Sequence, residues 1–212
     1  RDRREPLQRD YTVVVAALRE RLDEICGNPH GLTQIAGQAA ALDEDDHLGR
    51  GMLLCICATT ALAQGGFALA ERYAHGAREA MGRGGSELGT GHALLVLGQS
   101  FFYRGRLGDA EACYQQALNG CLHAPQPDRV LQATAHCLLA QLHYERGHHD
   151  DAADLLHPAL DILEQHDGST DVLAAGYDTA LGLERLRDHS GRSAAALLEH
   201  VEQIAHGRKL AR

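Results

Sequence analysis

Residues 93–118, ALLVLGQSFFYRGRLGDAEACYQQAL, are echoed by residues 137–160, CLLAQLHYERGHHDDAADLLHPAL, with small and large side chains at matching offsets. Leu97, Gly98, Phe101, Gly105, Ala110, Tyr114, Ala117 and Leu118 in the first correspond to Leu139, Ala140, His143, Gly147, Ala152, Leu156, Ala159 and Leu160 in the second. Only His143, standing where the first unit has Phe101, is out of character. Upstream, Cys57, Ala58, Ala61, Gly65, Ala70, Ala74 and Ala77 keep the same offsets with small residues throughout. Partial matches flank these units: Gly27, Leu32, Ala36, Ala39 and Ala40 on one side, Leu183, Gly191 and Ala196 on the other. A recurring unit of this size buries its apolar faces by stacking on its neighbours, so self-similarity constrains the fold more than any single motif does.

Each position has a physical reason. A glycine after the first helix of a unit takes the left-handed conformation that ends it, and a short turn sends the second helix back antiparallel. Gly98, Ala110 and Ala117 let two helix backbones approach, while Leu97, Phe101, Tyr114 and Leu118 fill the space between them. The pattern predicts helix pairs over 11–26 with 31–42, 48–64 with 67–82, 89–104 with 107–122, 129–146 with 149–166, and 171–189 with 193–207. The expected fold is all-α, a superhelical array of about five antiparallel helix pairs forming one repeat domain over residues 1–212. The glycines Gly27, Gly65, Gly105, Gly147 and Gly191 stand 38, 40, 42 and 44 residues apart by subtraction. GRGGSELGTG, HAPQPD and HDGST read as loops between units, and on this reading they account for the long period.

Composition agrees. Hydrophobic residues make up 44% of the chain, yet Trp is absent and aromatics reach only 4%, so the core is expected to be Ala and Leu. A net charge of -9 with a single lysine, Lys209, and scattered arginines argues against direct contact with nucleic acid. No apolar run reaches the roughly 18 residues of a membrane span and no signal peptide is evident, so a cytoplasmic location without membrane association is expected. Cys26, Cys55, Cys57, Cys113, Cys121 and Cys137 lack the regular spacing of a disulfide framework and are expected as reduced thiols. Arg1 in place of an initiating Met suggests a piece of a longer protein.

The two clearest units carry the L-G-x-x-Y, G, A, F/Y, A-L pattern of tetratricopeptide repeats, although a strict repeat of that kind has a period of about 34 residues. GRLGDAEACYQQAL, AQLHYERGHHDDAADLLHPALDIL and the closing LLEHVEQIAHGRKLAR together resemble the repeat region of MalT-like, LuxR-type ATP-dependent transcription regulators. That resemblance implies a sensor lying between an ATPase and a DNA-binding helix-turn-helix. It also implies an inducer, and sometimes inhibitory proteins, whose binding releases an autoinhibited form for multimerisation. Neither a Walker motif nor a basic recognition helix lies in this chain. The expected partners are therefore a small-molecule effector and other domains of the parent chain or a regulatory protein, with homo-oligomerisation compatible. The alternative is a scaffold that grips a peptide or partner protein, a role for which basic clamps are common.

The resemblance assigns no ligand residues, so geometry must. In a stacked array the first helix of each pair lines the concave surface, and its outward positions carry His92, Gln99, Phe102 and Tyr103 in one pair and Cys137, Gln141 and Tyr144 in the next. Thr59 holds such a position in an earlier pair. Aromatic, amide and hydroxyl groups mixed in this way can orient a small organic ligand.

Other constellations are weaker. His136, His143, His148, His149 and His157 crowd one unit, but His148 and His149 fall at a turn and no cysteine completes a zinc spacing, so no metal is expected. Cys55 and Cys57 face different ways on a helix, and Cys57 is expected in the core. Asp45 and Asp46 suit the start of a helix better than a calcium loop. Ser190 and Ser193 near His189 lack an oriented acid and an oxyanion site. Neither a catalytic residue nor a cofactor is expected; the chain is read as binding, not as an enzyme.

Overall fold

A computed structural model describes residues 31–124, 126–166, 170–187 and 192–210. The described residues form nine helices and no strand: α1 Gly31–Ala41, α2 His47–Ala63, α3 Phe67–Arg83, α4 Glu87–Tyr103, α5 Leu107–His123, α6 Arg129–Glu145, α7 His149–Gln165, α8 Thr170–Arg187 and α9 Arg192–Leu210. The all-α array of antiparallel pairs is as the repeat predicts, with α2/α3, α4/α5 and α6/α7 packed as pairs. The helix expected over 11–26 lies outside the described residues, as do Gly27 and Gly191.

The source of the long period differs from the expectation. Helices α2 to α7 are each 17 residues long. Three-residue turns at 64–66, 84–86, 104–106 and 146–148 join them, and the turn between pairs is built like the turns within pairs. Gly65, Gly85, Gly105 and Gly147 all have φ between 70° and 80°. In each turn the residue after that glycine donates its N–H to the carbonyl five residues back: Gly66 to Ala61 at 2.8 Å, Ser86 to Met81, Arg106 to Phe101 and His148 to His143 at 2.9 Å. These are Schellman closures, which satisfy carbonyls a helix end would otherwise leave orphaned. Two long helices and two tight turns thus make the 40-residue period, and between α2 and α7 the longer connection is the one at 124–128, which joins α5 to α6.

GRGGSELGTG is correspondingly not a loop. Gly84–Ser86 make a tight turn, and Gly89 and Gly91 are buried in the first turns of α4. A Cβ at Gly91 would stand 2.7 Å from Leu131 Cδ2, and one at Gly89 would strike Met81, so these glycines are points of close approach. The first helices of the three central pairs also carry side-chain N-caps: Asp46 accepts from Gly49 N at 2.9 Å, Ser86 from Gly89 N at 3.0 Å and Asp128 from Leu131 N at 2.8 Å. The reading of Asp46 as a helix start is therefore right.

The core runs through the stack. Its upstream part is small, with Ala58, Ala61, Ala70, Ala74 and Ala77 buried; further along, Leu97, Tyr114, Leu131, Leu138, Leu142, Leu156 and Leu163 fill it. Cys57 is fully buried there, as expected. First helices touch their counterparts in the next pair, α2 with α4, α4 with α6 and α6 with α8. Second helices make no comparable contact with one another among the described residues. The array therefore curves with its first helices on the inner, concave side.

Candidate functional site

The last turns of α4 and α6, where these first helices run into their turns, carry consecutive aromatic and polar residues. Tyr103, the last residue of α4, is 50% exposed although large and apolar. Its ring stacks on Phe67 of α3 with centroids 5.0 Å apart and planes 13° from parallel, and Phe102 meets it edge-on at 5.6 Å. This offset stacking and edge-to-face pairing holds an otherwise free ring in place. Phe102, Tyr103, Gly105, Leu107 and Glu145 line an open depression of about 450 Å³. Tyr103 and Glu145 hold the same position in consecutive units, so the depression spans two of them. An aromatic floor with one carboxylate at its rim suits an organic ligand carrying a cationic or hydrogen-bond-donating group.

Of the residues chosen from sequence, Phe102 and Tyr103 come together there. Gln99 and Gln141 are half-buried in mid-helix and do not line the depression. Tyr144 turns toward the next pair: its ring lies 5.6 Å from that of His149, and its Cζ would stand 2.7 Å from a Cβ placed at Gly182 of α8. His92 is exposed near the other end of α4, and Thr59 donates to the Cys55 carbonyl of its own helix at 2.6 Å.

Cys137 must be withdrawn from the concave face. It is 1% exposed, its Sγ lies 3.5 Å from the Val172 carbonyl of α8, and burial pushes its thiol up to about 12. Leu95, at the same position one unit earlier, is likewise buried. That position belongs to the contact between successive first helices, and a single helical wheel does not reveal a neighbour that covers it. Glu145 holds an outward position of its helix, as the geometry of a stacked array expects, whereas Gly105 and Leu107 were missed because the depression sits at the ends of the helices and borrows from the turn. The signal was available in the Phe-Tyr pair at 102–103 next to a turn glycine.

Basic residues near this edge are engaged. Arg104 pairs with Glu71, and Arg106 reaches Glu71 Oε1 at 3.3 Å and Asp109 Oδ2 at 2.8 Å. The next unit repeats the link, with Arg146 Nη1 2.6 Å from Glu111 Oε2. Two successive second helices, α3 and α5, thus each offer a glutamate to the arginine that caps the following first helix. Among the described residues, one group of side chains has metal-ligand character: His143, His148 and Asp151.

The family model described as the MalT-like TPR region matches residues 14–210. The chain belongs to the MalT-like TPR family. No curated protein matches it in sequence. Among solved structures, this MalT-like TPR chain is similar in fold to BtubC (BKLC) from P. vanneervenii, with a TM-score of 0.63 at 18% identity, covering 93% of this chain and 79% of that one. It is similar also to the nearly identical TPR-like repeats of a Podosopora anserina protein described as kinesin light chain. One crystal structure of those repeats gives a TM-score of 0.57 at 16% identity, over 92% of this chain and 96% of that one. At these identities the likeness concerns the fold of MalT-like TPR arrays alone. No described helix is long and apolar enough to cross a membrane.

Proposed function

We propose that this array is the effector-sensing segment of a MalT-like, LuxR-type transcription regulator, taking a small organic molecule on its concave edge and passing the event to other domains of a cytoplasmic parent protein. The observation that carries the reading is the exposed Tyr103, stacked on Phe67 and bordering a depression shared between two units. An exposed ring already fixed by stacking loses little freedom when a ligand covers it, so its burial is available as binding energy. Because the ligand would touch two units at once, it would favour one superhelical pitch over others, and a ligand shifts an equilibrium only through such differential contact. Binding without catalysis is part of the proposal.

The rival, a scaffold for a peptide carboxylate, calls for basic side chains free to clamp it. Arg104 and Arg106 are held by Glu71 and Asp109, which weighs toward the small molecule. A thermal-shift screen of metabolites against the wild type and Tyr103→Ala tests the site. A metabolite that raises the melting temperature of the wild type and loses most of that effect in the variant supports it; equal shifts in both reject it. Sequencing the flanking parent gene tests the regulatory half: an upstream Walker motif and a downstream helix-turn-helix support it, and their absence removes it.

A further inference from the structure

Two turns 42 residues apart in sequence share a backbone and differ in chemistry. In the first, Phe101, Arg106 and Asp109 form a satisfied trio: the Arg106 guanidinium lies 4.2 Å from the centre of the Phe101 ring and its Nε donates to Asp109 Oδ2 at 2.8 Å. The corresponding residues of the second turn are His143, His148 and Asp151. The guanidinium and the benzene ring have both become imidazoles, and the carboxylate is kept. The two imidazole centroids lie 5.9 Å apart, inclined by 39°.

This second trio is not satisfied as the first is. His143 Nδ1 is closed off from solvent and has no hydrogen-bond partner. A buried polar atom in that condition has lost its water and gained nothing in exchange. A phenyl ring at 143, as at 101, would carry no such cost. One nitrogen from each histidine and one Asp151 oxygen all lie within 4.8 Å of one another. Around a tetrahedral ion with bonds of about 2.1 Å, ligand atoms stand about 3.4 Å apart, so side-chain movements of about an ångström close the set.

We propose that His143, His148 and Asp151 form a binding site for a divalent transition-metal ion. Two imidazole nitrogens and a carboxylate oxygen are the donor chemistry of zinc, cobalt(II) and nickel(II), with solvent completing the coordination because His148 and Asp151 are exposed. The scaffold is already fixed. Gly147 takes φ 80° and His148 N donates to the His143 carbonyl at 2.9 Å, which locks two ligands across the turn before any ion arrives. The positive end of α7 opposes a cation, and Asp150 and Asp151 in its first turn offset that field. A bound ion would tie the end of α6, whose Glu145 borders the aromatic depression, to the start of α7.

The test uses the untagged chain after chelator treatment. Titration with Co2+, read by visible d–d absorption, and with Zn2+, read by calorimetry, is expected to give one saturable equivalent per chain and a raised melting temperature. The decisive variant is His143→Phe with His148→Arg, which restores the trio of the preceding turn and so keeps a known packing solution. It is expected to fold and to lose the saturable equivalent together with the thermal shift. Asp151→Asn, an exposed change that leaves the fold alone, is expected to weaken binding at least about tenfold. The proposal is overturned if the wild type shows no saturable equivalent. It is equally overturned if both variants bind as the wild type does, which would assign the ion to others of the 14 histidines.

Discussion

The ring of Tyr114 occupies the space that Gly98 leaves empty. A Cβ built on Gly98 would stand 2.7 Å from Tyr114 Cδ1 and closer still to Cε1, and the ring has no route of retreat because Tyr114 is buried. The two helices of the third pair can approach only because position 98 has no side chain.

Gly98→Ala should therefore destabilise the chain by about 1–3 kcal/mol, the usual cost of overpacking, despite the gain of about 1 kcal/mol in helix propensity. Urea unfolding measures it. Combining it with Tyr114→Leu should recover part of the loss, and strict additivity of the two changes would show that the clash is not between these residues.

The turn glycines make a different prediction, since nothing lies within 4 Å of a Cβ at Gly147 or at Gly108. Gly147→Ala should cost about 1 kcal/mol through its positive φ alone, whereas Gly108→Ala, in the exposed first turn of α5, should stabilise by up to about 1 kcal/mol. Opposite signs in thermal melts are the expected result.

Much of the fold was legible because turn glycines mark where α2, α4 and α6 end. Gly65, Gly105 and Gly147 do so as the repeat pattern demands. The start of α4 was harder to read: Gly89 and Gly91 look like loop residues until Met81 and Leu131 are seen to fill the space they leave. The groove was legible only in part, because what covers a helix position depends on the next pair. That is why Cys137 was misplaced while Tyr103 was not. His143 stood out as a departure from the pattern, but its approach to Asp151 depends on the fold of the turn between them.

The glutamate-to-arginine links between units should act weakly and electrostatically. With Glu111 and Arg146 27% and 28% exposed, Glu111→Gln should cost about 0.5–1 kcal/mol at low salt and less at 1 M. A double-mutant cycle with Arg146→Met isolates the pair, and a coupling unchanged by salt would contradict it.

Burial of Cys137 sets a pH dependence. Its thiol is pushed up to about 12 in the fold from an ordinary value of 9.0, so above about pH 9 the unfolded chain releases a proton that the folded chain keeps. Stability then falls as pH rises from 9 toward 12, and is fully present below that window. Cys137→Ala should lessen this alkaline slope, to which the thiols of Cys55, Cys57 and Cys113, also pushed up by burial, contribute, at some cost in packing. Mass spectrometry after iodoacetamide at pH 8 should find Cys137 unmodified in the folded chain and modified in urea.

The uniform 17-residue helices joined by identical three-residue turns carry a consequence for how such a chain can vary. One residue inserted into a helix swings everything beyond it through about 100°, turning each later contact face away from its partner. Substitution is forgiven at many positions here, but a change of length within a helix is not. The five-residue connection at 124–128 is where the chain can absorb an insertion without losing its phase.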